Sequence, residues 1–255
     1  MENNTITACV RIDGMANTRS FADIRNEILS AHKNTGPQDK VSFYNTWAEN
    51  YEQDVALLDY RAPLLAAECI TTHFKGDKER AIILDVACGT GLVSAHLRRM
   101  GFCQFVGVDG SEGMLDLARE TGLYLELKQC MLGQESLPVQ NGNKHINLEP
   151  HNSVIFLETY DVVVIVGALS VGQVPVAVVR ELWQVTKPGG YMCMTTRGNA
   201  DNQEYKTELE HMMSTMEEEK RWSCVTVTEV EQWERAVAEN ESGYIPGAVY
   251  LYQRN

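Results

Sequence analysis

A chain of 255 residues, 44% of them hydrophobic and 22% charged, has room for one large domain or two small ones and for a core that needs no disulfide staples. Its longest apolar run, residues 162–169, falls far short of the roughly 20 residues of a membrane span, which argues against a membrane protein. A net charge of −13, with twelve acidic against four basic residues over 201–241 and no cluster of Lys or Arg, argues against a nucleic-acid partner.

Residues 1–39 read as a flexible N-terminal arm. It carries one short helix over 21–32, with Phe21, Ile24 and Ile28 on one face, stopped by Asn34-Thr35-Gly36-Pro37. The aromatic stretch from Val41 to Tyr51 has a helical period. A further helix fits 62–74, with Pro63 in the first turn where its missing N–H is harmless. Together residues 40–75 are expected to form a helical lid. From Ala81 onward strands and helices alternate. Strands are predicted at 81–86, 104–108, 124–129, 160–166 and 191–196. Helices are predicted at 91–100, at 111–121 with Ser111 as N-cap, around Val176 to Trp183, and at 205–216. Lys187-Pro188-Gly189-Gly190 reads as a turn, 140–153 as a polar loop insertion, and 154–157 as ambiguous. Two last strands, 222–228 and 248–252, have no long helix between them, which predicts an antiparallel closing pair. The whole predicts an α/β core over 81–255, a mostly parallel sheet with helices on both faces. Such a sheet binds ligands beyond the carboxyl ends of its strands, where the strand order reverses.

The seven cysteines include no C-x-x-C pair, and most lie in apolar runs, so they read as free thiols of a reducing compartment. The N-terminal MENNTITACVRIDG lacks the basic-then-apolar order of a secretory signal. The expectation is a cytoplasmic protein small enough to reach the nucleus. His96 reads as a structural residue and His145 and His151 as solvated ones. No Cys/His spacing suggests a metal.

The informative run is Asp85-Val86-Ala87-Cys88-Gly89-Thr90-Gly91, which leaves a predicted strand and opens a predicted helix. Small residues at 87, 89 and 91 let a ligand approach the backbone, and the helix start offers unpaired N–H groups. The next strand ends in Asp109, where a carboxylate can accept from both hydroxyls of a ribose. The ligand is therefore expected to contain a nucleoside. A dinucleotide fingerprint would place glycine where Ser94 stands, and Asp85 beside the loop would repel a pyrophosphate. The same carboxylate suits a ligand with an ammonium and a sulfonium, such as S-adenosylmethionine.

These residues resemble the class I S-adenosylmethionine-dependent methyltransferases. Ile83-Leu84-Asp85-Val86-Ala87-Cys88-Gly89-Thr90-Gly91 resembles their first motif and Val106-Gly107-Val108-Asp109-Gly110-Ser111 their second. Val185-Thr186-Lys187-Pro188-Gly189-Gly190-Tyr191 is similar to the turn before their fifth strand, and residues 43–51 to their N-terminal lid. The resemblance spans about 40–200. It implies a Rossmann-like, seven-stranded, mostly parallel sheet with an antiparallel C-terminal hairpin, and S-adenosyl-L-methionine as cofactor. It also implies roles. Asp85 would organise the loop and favour the cofactor's ammonium. Ala87, Gly89 and Gly91 would admit it, with Thr90 beside them. Asp109 would hold the ribose, and Gly110 and Met114 would flank the adenine. Cys130 and Met131 would meet the adenine edge, and Val166 would lie under the methionine portion. Tyr51 and Arg61 would reach in from the lid, Arg61 toward the cofactor carboxylate.

Three features depart from the family pattern: Ala87 replaces a glycine, Cys130-Met131-Leu132 replaces an acidic residue, and 140–153 is inserted. No catalytic base is named; Tyr44, Tyr51 and the residues after Val166 would face the pocket. The acceptor is expected to be a small molecule, with a protein side chain second. The sequence gives no reading of the oligomeric state. Two other readings stand beside this one. A non-catalytic cofactor-binding protein would keep Asp85 and Asp109. A nicotinamide-dependent oxidoreductase would want the missing third glycine.

Overall fold

The computed structural model describes residues 19–31, 36–135, 137, 139–140, 155–156, 158–237 and 241–255. In chain order its strands are β1 (Ile82–Val86), β2 (Gln104–Asp109), β3 (Tyr124–Gln129), β4 (Val139–Gln140), β5 (Ile155–Phe156), β6 (Tyr160–Ile165), β7 (Thr186–Arg197), β8 (Trp222–Arg235) and β9 (Tyr244–Arg254). Its helices are α1 (Phe21–Ala31), α2 (Pro37–Leu57), α3 (Ala62–His73), α4 (Leu92–Arg99), α5 (Glu112–Glu120), α6 (Val178–Val185) and α7 (Gln203–Glu218).

Seven strands form one sheet in the order β3-β2-β1-β6-β7-β9-β8. All pairings are parallel except those of β9, which runs against both β7 and β8. The expected antiparallel closing pair is therefore present. The chain steps outward from β1 to β3, then returns to the other side of β1 as β6. That reversal leaves a crevice over the carboxyl ends of β1 and β6. The registers Val86↔Val108 and Val86↔Ile165 bring the ends of β2, β1 and β6 level, so the segments after all three open on the same edge.

Apolar residues alternate through the central strands because each face must be covered. Leu84, Val86, Val106, Val163, Ile165 and Met194 pack against α6 and α7. Ile83, Phe105, Val162, Val164 and Cys193 pack on the other face against α3 and α4. The Met face of α7 is core, as its period suggested: Leu209, Met213 and Met216 are buried. A third, smaller cluster joins Ile24 and Ile28 of α1 to Trp47 and Val55 of α2 and to Leu58.

The structure differs from the sequence expectation in four places. Phe21, expected on the buried face of α1, is 37% exposed. Helix α2 starts at Pro37, ahead of the aromatic stretch. Proline suits a first turn, and the Gly36 N–H is met by Asp39 Oδ2 at 3.0 Å. The 187–190 segment, expected as a turn, lies within β7. The register jumps from Tyr160↔Thr186 to Val162↔Tyr191, so those residues form an irregularity in the strand. Strands β8 and β9 run to 14 and 11 residues, well beyond the predicted ends. The 140–153 insertion lies, apart from Gln140, outside the described residues; its flanks pair as the short parallel ribbon β4–β5. No described helix is long and apolar enough to cross a membrane.

Candidate active site

The site begins where β1 runs out. Asp85 is 1% exposed and accepts hydrogen bonds from Ser94 Oγ at 2.7 Å and Tyr124 OH at 2.8 Å. Burial raises its pKa to about 6, against the opposing pull of those two hydroxyls. After Val86 the chain folds tightly, with Cys88 N–H on Val108 O and Gly91 N–H on Cys88 O, both at 3.0 Å. Ala87 takes φ 53, Gly89 φ 55 and Gly91 φ 97. For Ala87 this is a strained backbone of the kind that concentrates at functional sites. A Cβ built on Gly89 would meet nothing within 4 Å, so the backbone there borders open space.

Asp109 closes β2 on the other side of that space. Its Oδ2 accepts from Gly89 N–H at 2.8 Å and its Oδ1 from Ser111 N–H at 2.9 Å. Burial raises its pKa, and the backbone donors partly offset the rise. Ser111 is the N-cap of α5, accepting from Met114 N–H at 3.2 Å, as the sequence predicts. It also donates to Asn45 Oδ1 at 2.7 Å, and the same oxygen accepts from Gly113 N–H at 3.0 Å. Asn45 thereby ties α2 to the start of α5.

These elements enclose a cavity of about 520 Å³, within the usual range for small-molecule sites. The structure brings nine of the expected residues to its wall: Tyr51, Ala87, Gly89, Asp109, Gly110, Met114, Cys130, Met131 and Val166. Four stand elsewhere. Asp85, Thr90 (2% exposed) and Gly91 lie behind the loop, where Gly91 is the left-handed N-cap of α4 and packs under the Tyr124 ring. Arg61 stands apart. It is the N-cap of α3, and its guanidinium Nη1 donates to the Gln232 carbonyl at 3.0 Å, away from the wall.

Residues not singled out for the site by the sequence reading also face the cavity, among them Lys40, Gln173 and Tyr205. Lys40 has a legible signal in hindsight, one residue ahead of the aromatic stretch of α2; Gln173 and Tyr205 have none. Burial raises the hydroxyls of Tyr44, Tyr51 and Tyr60 above their ordinary pKa, so they remain protonated donors. Burial also lifts the Cys130 thiol to about 11, which keeps it neutral. Among the described residues no group of three or more His, Cys, Asp or Glu is placed to hold a metal ion.

A doubly wound sheet of this order, with a glycine loop after β1 facing a carboxylate at the end of β2, is the frame of a methyltransferase domain. Residues 77–243 match the protein family described as a methyltransferase domain, and the chain belongs to that family of methyltransferases. It is 46% identical over 213 residues to the human methyltransferase-like protein 27, covering 84% of this chain and 80% of that protein. It is 28% identical over 184 residues to a ubiquinone biosynthesis O-methyltransferase of Hydrogenovibrio crunogenus, covering 71% and 67%. Among solved structures it resembles a SAM-dependent methyltransferase of Thermotoga maritima, described as a possible histamine N-methyltransferase. There the TM-score is 0.52 and the identity 15%, covering 83% of this chain and 98% of that one. That likeness establishes the shared fold.

Proposed function

We propose that this protein transfers the methyl group of S-adenosylmethionine to a small-molecule acceptor. One observation carries the reading. The Asp109 carboxylate is fixed by two backbone N–H groups in the cavity wall, beside a Gly89 backbone that borders open space. A nucleoside's diol fits that carboxylate, and a side chain at 89 would fill the space beside it. The bound donor supplies an electrophilic methyl group on a sulfonium.

The chain's own residues supply the rest. Asp109 accepts from the ribose hydroxyls. Gly110, Met114, Cys130 and Met131 form the adenine's surroundings. Ala87, Gly89 and Val166 line the path of the methionine portion, and Tyr51 covers it from α2. Asp85, Thr90 and Gly91 act from behind by shaping the loop, and Arg61 fastens α3 to β8. Burial favours the protonated hydroxyl in Tyr44, Tyr51 and Tyr60, which makes them walls and donors rather than bases in this reading. Catalysis then rests on alignment. Holding a nucleophile in line with the methyl group can supply roughly 7–11 kcal/mol of the barrier.

The relative named for ubiquinone biosynthesis supports a small molecule as the acceptor. The buried free thiols of Cys88, Cys130 and Cys193 suit a reducing compartment, and the reading places the protein in the cytoplasm with access to the nucleus.

Calorimetric titration with S-adenosylmethionine, S-adenosylhomocysteine and NAD tests the reading, with Asp109→Ala alongside. Micromolar binding of the two sulfur ligands and not of NAD, lost in the variant, is the expected result. A folded protein that binds neither sulfur ligand would overturn it.

A further inference from the structure

Behind the large cavity lies a second chamber of about 80 Å³. The two share Lys40, Tyr44, Tyr51, Gly167 and Gln173, so they adjoin through the end of β6 and the inner face of α2. The far wall of the chamber is made by the carboxyl end of β7, with Thr195, Thr196 and Arg197, and by Trp233 and Glu234 of β8. The donor reading above does not use these residues.

Two polar groups that line the chamber, Ser170 after β6 and Arg197 at the end of β7, have unspent hydrogen-bonding capacity. Ser170 is 3% exposed, and its Oγ has no hydrogen-bond partner among the described residues. Buried hydroxyls are ordinarily satisfied, so an orphan on a cavity wall points to a ligand. Arg197 meets Glu234 through Nε at 3.6 Å, beyond hydrogen-bond reach, and its guanidinium makes no hydrogen bond among the described residues. Its planar fork of donors therefore stands beside the chamber largely unused. Guanidinium forks match carboxylates with two parallel bonds.

Charge selects among ligands. In a protein of net charge −13, the chamber's lining carries Lys40, Arg197 and Glu234, and the Glu241 carboxylate also acts on both Arg197 and Glu234. Lys40 makes no ion pair among the described residues. An ammonium would meet two cations in the lining, whereas a singly charged anion meets their unspent donors. A phosphate would bring a second negative charge against Glu234. Most of the rest of the lining is aromatic and apolar, including Phe43, Tyr60 and Trp233, with Gln173, Thr195 and Thr196 the polar exceptions.

We propose that this chamber receives the methyl acceptor, and that the acceptor carries a carboxylate held by Arg197 and the Ser170 hydroxyl, on a small apolar body whose other end bears a nucleophilic O, N or S. The lone pair of that atom forms the bond to the methyl carbon as the C–S bond breaks to leave S-adenosylhomocysteine, and its proton passes to solvent water. The proposal rests on the donor reading above, because the donor would fill the larger cavity and leave this chamber for the acceptor.

The test uses the full chain saturated with S-adenosylhomocysteine. Butyrate and benzoate are titrated against butyramide, benzamide and benzylamine, with binding read by calorimetry and by thermal shift. The expected result is binding of the two acids at millimolar concentration, with the amides weaker by about tenfold or more and benzylamine without effect. Arg197→Lys keeps the charge and loses the fork, so it should weaken the acids by about tenfold while leaving the affinity for S-adenosylhomocysteine unchanged. The double variant Arg197→Met with Glu234→Gln avoids leaving Glu234 unpaired and should abolish acid binding in a folded protein. Acids that bind no better than amides, or benzylamine preferred to both, would overturn the proposal. Weakened S-adenosylhomocysteine binding in Arg197→Lys would place that residue at the donor and overturn it too. Failure of the wild type to bind S-adenosylhomocysteine at all is a separate result, which removes the donor reading and this proposal with it.

Discussion

Asp85 is buried to 1% exposure, and its pKa rises from the ordinary 3.8 to about 6 because desolvation outweighs the hydroxyls of Ser94 and Tyr124. Between those two values the folded protein holds a proton that the unfolded chain has released. Stability therefore falls as the pH rises from about 4 to 6 and stays lower above that. The shift corresponds to about 3 kcal/mol. Asp85→Asn keeps the size and removes the charge, and both hydroxyls can turn to accept from its amide. Urea unfolding at several pH values should show the variant gaining about 2–3 kcal/mol on the wild type between pH 4 and 7. A difference that stays flat over that range would show an ordinary pKa for Asp85. At this scale the sequence was informative where residue type alone states the need. Glycine at 89 and a carboxylate at 109 follow from close approach and ribose chemistry, and both line the cavity. Arg61 was not legible, because a guanidinium's direction depends on the backbone at a helix start, and there it turns to Gln232. Arg197 and Glu234 were not legible either: 37 residues apart in the chain, they meet only through the pairing of β7 and β8 with β9.

The hairpin of β8 and β9 adds Trp233 and Glu234 to the far wall of the inner chamber, and its packing turns on one glycine. A Cβ on Gly247 would sit 2.2 Å from Cδ2 of Trp233, whose indole is 1% exposed and lies across that backbone. The ring cannot yield by a rotation of its far end, because the contact falls on the atoms nearest its stem. Gly247→Ala should therefore cost about 2 kcal/mol, seen as a fall in Tm of about 4–8 °C. Trp233 also lines the chamber, so acceptor turnover should fall while the affinity for S-adenosylhomocysteine is kept. Equal losses in both would show that the hairpin supports the whole site and not the chamber alone. Element legibility follows burial. Strands β1, β2 and β6 were readable because two covered faces demand an unbroken apolar run. Strand β8 lies at the sheet edge, is exposed along much of its length, and carries register breaks at Cys224/Thr226 and Val230/Glu234. Its period-two signal is lost after the first residues. The Pro188-Gly189-Gly190 stretch misled in the opposite sense, since turn residues here accompany an irregularity within β7.

Over the whole molecule the apolar interior divides into three unequal parts. Two large clusters lie on opposite faces of the sheet, and the small third lies between α1, α2 and the edge of the body. Helix α2 is fastened to the rest by a few polar ties, chiefly Asn45 to Ser111 and Gly113. Its own Asp54, 0% exposed, accepts from Trp47 Nε1 at 2.7 Å and pairs with Arg19 at 3.0 Å. Regions with a small buried cluster open at lower free energy than the main core. The same helix presents Tyr44 and Tyr51 to the cavity, so a donor bound there would add contacts to the least stable layer. Hydrogen exchange followed by mass spectrometry should show α2 exchanging faster than β1 and β6 in the free protein. With S-adenosylhomocysteine, protection should rise in α2, at the start of α5 and over 87–91, while α3, which lines neither cavity, changes little. At a ligand concentration about one hundredfold above Kd, the linked stabilisation is about 2.7 kcal/mol, a rise in Tm of about 5–11 °C. Protection confined to 87–91, with α2 unmoved, would mean that α2 is set in place before the donor arrives. The aromatic helix would then be a fixed wall of the site and not a cover drawn onto it.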